Sequence, residues 1–375
     1  MNIFFYTWIK ILLLTYINSN VIQLEISDFY YSIPNPSFYF TKEQFWYHIL
    51  LNTYSSGSIF WMNFNAKYKS DIIKNLTLYN DDNYNVTHYL TDIKINQTAL
   101  NNFSIYVSKT SLWTRDTGIA LGYHFNDTSF SIVHSLYNSQ KIDKLQFAYE
   151  KIGKDDNFYI GGVPENKILN FTYKGVVEID EKLPTWGFNL EYIKYNGTNF
   201  KMNLPTIIHS AMENMIISDD VFDFFYSNVL QDKMINNECD TRTNGIYAQK
   251  YFRCRLDEER LSTKIEFVFD NIQVEFTIKD LFNYSNSKIV SNSDKPFHKF
   301  NGVFLGIDFI RMMNYTIFDY ENTQVSFYSD TIKISSKSKE KLQTKPLIII
   351  VISLCGLLCA MLLYIKYLYK TDLSI

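Results

Sequence analysis

"GVFLGIDFIRMMNYTIFDYENTQVSFY" (residues 302–328) and "GIALGYHFNDTSFSIVHSLYNSQKIDKLQFAYE" (118–150) decide how this chain folds. Each opens on a short apolar strand carrying glycines, Gly302 and Gly306 in one, Gly118 and Gly122 in the other. In each half an apolar run that ends in a polar residue and then Thr or Ser comes first: "HILLNTYSS" (48–56) and "LPTIIHSAMEN" (204–214). One plan met twice implies two duplicated β lobes.

Working outward, residues 22–330 read as short apolar or alternating runs rich in Tyr, Phe, Ile and Val. Asn, Asp, Gly and Ser separate them, as strands and hairpins require. Helical spacing is confined to a few stretches, best in "SFSIVHSLYNSQ" (129–140) and "SDDVFDFFYSNVLQ" (218–231), each with Ser or Asp placed to cap it. The expectation is a mostly β, bilobed protein with an N-terminal β lobe over 21–183 and a C-terminal β lobe over 184–330.

At 375 residues the chain exceeds one comfortable core, in keeping with two lobes. Thirty-six basic against 39 acidic side chains give a formal charge of -3, which supplies no electrostatic footprint for nucleic acid. No cofactor, metal or nucleotide is expected. The 30 Phe and 29 Tyr beside only 13 Gly read as codon bias, which erodes glycine motifs for reasons unconnected with function.

The ends place the chain in the secretory pathway. Residues 1–20, "MNIFFYTWIKILLLTYINSN", read as a signal peptide, although Lys10 interrupts the apolar run. "LIIIVISLCGLLCAMLLYI" (Leu347–Ile365) is uncharged and, at about 1.5 Å per residue, spans roughly 28 Å, a bilayer core. A transmembrane helix over 347–368 is expected, after a polar stalk at 331–346 and before a cytosolic tail at 369–375. A glycolipid-anchor tail is the rival, but "KYLYKTDLSI" carries charge beyond the apolar run.

Flanking charge alone would put the long region in the cytosol, because Lys333, Lys337, Lys339, Lys341 and Lys345 precede the helix. Two observations oppose it. N-x-[ST] sequons, in mild excess over chance, occur at Asn75, Asn85, Asn96, Asn102, Asn126, Asn170, Asn196, Asn283 and Asn314. Outside the apolar span the cysteines are Cys239 and Cys254, a close pair suited to a disulfide in an oxidising compartment. A zinc site is the alternative, but no CxxC or nearby His completes four ligands. The reading is single-pass type I, with the lobes lumenal or extracellular, in an endolysosomal compartment or at the cell surface.

The stretch 118–150, followed by "NFYIGGVPENKI" (157–168), resembles the pepsin-like aspartic proteases, where a glycine-bearing strand precedes a helix and then an "IGG" hairpin. "YKGVVEIDEKLPTWGFNLEYIKYNG" (173–197) is similar to the family's crossing between lobes, and 302–328 to its closing segment. Cys239 and Cys254 sit where the family often places a second-lobe disulfide. The resemblance runs through nearly the whole lumenal region.

That family's chemistry needs one carboxylate from each lobe, close enough to share a proton, so that one acts as acid and the other as base on a bridging water. Each Asp arrives on an apolar-apolar-Asp-[Thr/Ser]-Gly loop. The resemblance assigns the first loop to "LLNTYSS", with Asn52 in the aspartate place, Thr53 retained and Tyr54 for Gly. It assigns the second to "IIHSAMEN", with His209 in the aspartate place, Ser210 retained and Ala211 for Gly. Asn has no titratable group near neutrality, and His alone lacks the acidic partner. Loss of groups that act as a unit costs several orders of magnitude in rate.

"RDTGIA" (115–120) is a decoy. Asp116 follows "LWTR" rather than an apolar strand, and Gly118 onward matches the family's later strand. A retroviral-type homodimer using this triplet is set aside. The flap stretch "LTLYNDDNYNVTHYLTDIKI" (76–95) contains no Gly, leaving Tyr79 or Tyr84 as stand-ins for a flap tyrosine, and Tyr54, Tyr79 and Tyr84 as cleft-lining candidates.

Three readings result. The first is a membrane-anchored, inactive relative that binds a peptide or protein in the inter-lobe cleft. The second is an active aspartic-type endopeptidase with His209 as base, and the third a surface or adhesion glycoprotein.

Overall fold

The computed structural model describes residues 21–336 apart from 27–28, 31–32, 35–36, 41–44, 49–50, 54–58, 62–68, 78–82, 109–117, 124–126, 153–154, 164–169, 184, 244–249, 255–261, 284–285, 288 and 292–299. The expected signal peptide, transmembrane segment and tail lie outside the described residues. Among the described residues no helix is long and apolar enough to cross a membrane. Residues up to Ser336 make one unit, distinct from Lys337–Ile375.

Three large sheets build that unit. The first half contributes a six-stranded sheet that includes the long hairpin Asn83–Ile95 and Thr98–Ser108. The second half contributes a ten-stranded sheet, with the hairpin Gly187–Tyr195 and Thr198–Ile208 near its middle. The third sheet joins them. Its antiparallel order is Ile22–Ile26, Asp155–Ile160, Gln146–Ile152, Tyr315–Asp319, Gln324–Ser329 and Tyr173–Glu178, so first-half strands enclose the last hairpin of the second half. The two halves therefore share this sheet, and the main cluster of buried side chains draws on both.

Alternation explains these strands. Gln324–Ser329 buries every second residue, as a half-exposed strand does, whereas Tyr315–Asp319 is buried on both faces. Phe147 and Tyr149 of Gln146–Ile152 point into the main core, where Phe147 stacks on Phe318 at 4.4 Å. Ala148 joins Tyr159, Tyr315 and Ile317 in a smaller cluster on the other face. There the buried carboxylate of Glu150 accepts from the Tyr159 and Tyr315 hydroxyls and from Asn157 Nδ2 at 3.0 Å. Such a group is tolerated inside only because donors surround it.

Both expected helices form. Ile132–Asn138 starts at Ser131, whose Oγ accepts the His134 N–H at 3.4 Å and lies 2.8 Å from its Nδ1. Asp219–Phe224 has Asp219 and Asp220 in its first turn, where the helix dipole favours anions, and continues as a π turn over Phe225–Val229. Ser218 stands at its N-cap without a side-chain cap bond.

One boundary differs from expectation. The sequence places the polar stalk from residue 331, yet Lys333–Ser336 is an edge strand paired with Ile272–Thr277. Ile332 and Ile334 are buried there, so two isoleucines hold this otherwise polar segment to the sheet.

Candidate functional site

Two short parallel pairings carry the ends of the two apolar runs to the seam between the halves. Leu51–Asn52 lies beside Ile119–Ala120, and Thr206–Ile208 beside Val303–Leu305. The apolar-Gly elements are therefore the supports of the loops that precede them. Glycine is required at the second: a Cβ on Gly306 would come within 2.2 Å of the Asn214 carbonyl, and one on Gly302 within 2.3 Å of that of Pro205.

At the seam Thr53 and Ser210 lock the halves. The Thr53 hydroxyl donates to the Ile208 carbonyl at 2.8 Å and accepts the Ser210 N–H at 2.9 Å. The Ser210 hydroxyl donates to the Leu51 carbonyl at 2.5 Å and accepts the Thr53 N–H at 3.1 Å. Both residues are fully buried. Each hydroxyl thus satisfies one backbone donor and one backbone acceptor of the opposite loop, groups that water cannot reach.

Asn52 and His209 are the residues immediately before these hydroxyls. Asn52 closes its strand, and its side chain lies outside the description. His209 is 2% exposed; its N–H donates to the Leu305 carbonyl at 2.9 Å, and its ring meets Phe304 edge-on at 6.2 Å. Ile207, Met212, Ile216 and Phe304 form a separate apolar cluster beside it. Ala211 is fully buried.

Three residues that sequence reading misses brace the lock. Thr185 Oγ1 donates to the Thr53 carbonyl at 2.7 Å. Trp186 Nε1 and the Tyr320 hydroxyl both donate to the Leu121 carbonyl, at 2.6 and 3.1 Å, anchoring the strand that supports the first loop. "LPTWGF" carries no local signal for this; the partners of Thr185 and Trp186 lie 132 and 65 residues away along the chain.

Tyr149 lies near Ser210. Burial pushes its phenol well up, the neighbouring Ser210 hydroxyl acts in the opposite sense, and Asp156 adds to the rise. Its hydroxyl makes no hydrogen bond of good geometry among the described residues. Asp156 itself pairs with Arg311 Nε at 2.8 Å, tying the helix Ile307–Met312 to the joining sheet.

Of the remaining expected positions, Cys239 and Cys254 are disulfide-bonded, directly opposite each other on paired strands. Asn96, Asn102, Asn170 and Asn196 are exposed, and Asn314 is half-buried with its Oδ1 accepting the Asp330 N–H at 2.9 Å. Asn75, Asn85, Asn283 and Tyr84 lie in strands whose side chains are not described there. Tyr54, Tyr79, Asn126 and the decoy Asp116 lie outside the described residues. Among the described residues no group of three or more His, Cys, Asp or Glu could hold a metal ion.

No protein-family model and no curated protein sequence matches the chain. In structure, 393 solved chains match it. The aspartic proteinase from Irpex lacteus superposes with a TM-score of 0.59 over 83% of this chain and 98% of its own, at 12% identity. The fold is therefore that of the pepsin-like aspartic proteinases.

Proposed function

We propose that this chain is an aspartic-protease-like protein whose two aspartate positions are held by Asn52 and His209, that it does not cleave peptides, and that it binds a peptide or protein between its halves. The observation that supports this reading is the reciprocal lock of Thr53 and Ser210, the residues that follow Asn52 and His209 along the chain. Proton-sharing chemistry needs two carboxylates, one ionised and one not. An amide and an imidazole offer no such pair. The sequence adds the rest of the proposal: an apolar segment at 347–365 as membrane anchor, and sequons, four of them exposed, as glycan sites.

The test is incubation of the purified protein with denatured protein substrate from acid to neutral pH, with and without a statine transition-state analogue. No cleavage above background is expected, together with retained binding of peptides. Statine-sensitive cleavage would overturn the reading.

A further inference from the structure

We infer that the solvent-facing side of the second-half hairpin Gly187–Tyr195/Thr198–Ile208 is a binding site for a neutral carbohydrate, independent of the Thr53–Ser210 seam. An open, shallow cleft of about 560 Å³ with a polar lining lies there. Its lining residues include none of the seam. They are two carboxylates, Glu191 and Asp270, three amides with Asn203 among them, one ammonium, Lys201, and one aromatic ring, Tyr192. Asp270 is held in place, its Oδ2 accepting the Asn189 N–H at 3.0 Å.

A backbone irregularity shapes this cleft. Tyr192 pairs with Lys201 and Leu190 with Leu204, so Glu191 alone on one strand faces both Met202 and Asn203 on the other. Asn203 takes a left-handed φ of 51°, which Asn tolerates better than other residues bearing a Cβ. A bulge of this kind bends the hairpin and re-aims the side chain at the bulge. Asn203 is exposed, whereas Leu190 and Leu204 beside it are buried, so the bulge serves the open side of the hairpin.

Composition selects the ligand. Two carboxylates against one lysine leave the cleft net negative, which repels phosphates and nucleotides. Among the described residues the lining holds neither Cys nor His for a soft metal, and Lys201 opposes a hard divalent cation. Among the described residues it holds no aliphatic side chain either, which argues against a lipid. Carboxylates accept from hydroxyls, and amides both donate and accept, so adjacent sugar hydroxyls each find a partner. Tyr192 offers a ring for the C–H face of a pyranose. Asn196, in the sequon at the tip of the same hairpin, makes the chain's own glycan one source of that chemistry and a partner's glycan the other.

The test measures binding of chitotriose, mannotriose and maltotriose to the full-length protein by saturation-transfer NMR, with inorganic phosphate and a glucuronic acid trimer as anionic controls. At least one neutral trisaccharide is expected to bind with a dissociation constant below about 1 mM, and the anions at least roughly tenfold more weakly. Asn203→Gly, which keeps the left-handed turn, and Glu191→Gln are each expected to weaken binding by roughly tenfold, with the circular dichroism spectrum unchanged. Thr198→Ala, which removes the hairpin sequon, separates the sources. Tighter binding of added sugar in that variant assigns the site to the chain's own glycan, and unchanged binding to a partner's. Failure of all three neutral sugars, equal binding of the anions, or full affinity in both cleft variants would overturn the inference.

Discussion

Thr53 and Ser210, 157 residues apart, each accept the other's backbone N–H through a side-chain hydroxyl. Neither hydroxyl can be removed without stranding a buried N–H and a buried carbonyl of the opposite loop.

Ser210→Ala is therefore expected to destabilise the protein by about 2–4 kcal/mol, since each orphaned buried backbone group costs about 1–3 kcal/mol and the loops relax in part. Thr53→Ser, which keeps the hydroxyl, should lose far less. Urea unfolding of both variants measures this; equal losses would show that packing rather than the hydroxyl holds the seam.

The disulfide between Cys239 and Cys254 closes a loop with a sequence separation of 15. Loop-closure entropy for that length gives about 3 kcal/mol. Cys239→Ser/Cys254→Ser should lower the urea midpoint accordingly, and dithiothreitol should do the same to the parent protein but not to the variant.

Burial sets two opposite pH limits. The phenols of Tyr149 and Tyr320 are held above the ordinary value of 10.0, chiefly by desolvation. Above about pH 10 the unfolded chain releases phenol protons that the folded chain retains, so stability falls as pH rises and is untouched below that value. Each such tyrosine contributes up to about 1.4 kcal/mol per pH unit. The imidazole of His134 is held below 6.5 by desolvation, so the unfolded chain takes up a proton first and stability falls as pH drops below that value. Tyr149→Phe should flatten the alkaline limb while leaving stability near pH 7 within about 1 kcal/mol, because its hydroxyl forms no good hydrogen bond among the described residues. His134→Gln should flatten the acid limb. Thermal midpoints across pH test both, and unchanged limbs would refute the assignment.

Sequons differ in what surrounds them. Asn196 occupies an exposed hairpin turn followed by Gly197, whereas the Asn314 side chain accepts the Asp330 N–H and its own backbone N–H donates to the Tyr328 carbonyl at 2.9 Å. Peptide mapping after glycosidase treatment in heavy-oxygen water should find Asn196 modified and Asn314 mostly unmodified. The reverse pattern would mean that glycosylation precedes and ignores this packing.

The lock is legible in the sequence because its signal is local: an apolar run, one polar residue and a hydroxyl, in "LLNTYSS" and again in "IIHSAMEN". Partnership across the chain is not. Nothing in "QFAYEKI" says that it will lie against "YTIFD", with Phe147 opposite Phe318, because that register is set only when both halves are folded. Tyr149 escapes notice for the same reason: alternation turns it inward, but only the assembled seam puts Ser210 near it. The strand Lys333–Ser336 is hidden differently, since its lysine and two serines leave Ile334 too isolated to register as an apolar alternation.

Restoring carboxylates tests the assignment of positions 52 and 209 most directly. The lock already holds the two loops together through Thr53 and Ser210, so Asn52→Asp/His209→Asp should bring two carboxyls to the seam without rebuilding it. Like charges so close cannot both ionise, and the pair would then share one proton and titrate in two steps. The double variant is expected to show statine-sensitive cleavage that rises toward acid pH, well below that of a natural protease because Ala211 stands where the resemblance expects Gly. Each single variant should stay at background, since the two groups act as a unit. Measurable cleavage by either single variant would mean that the remaining residue, Asn52 or His209, already supplies half of the chemistry, while an inert but folded double variant would mean that these are not the aspartate positions.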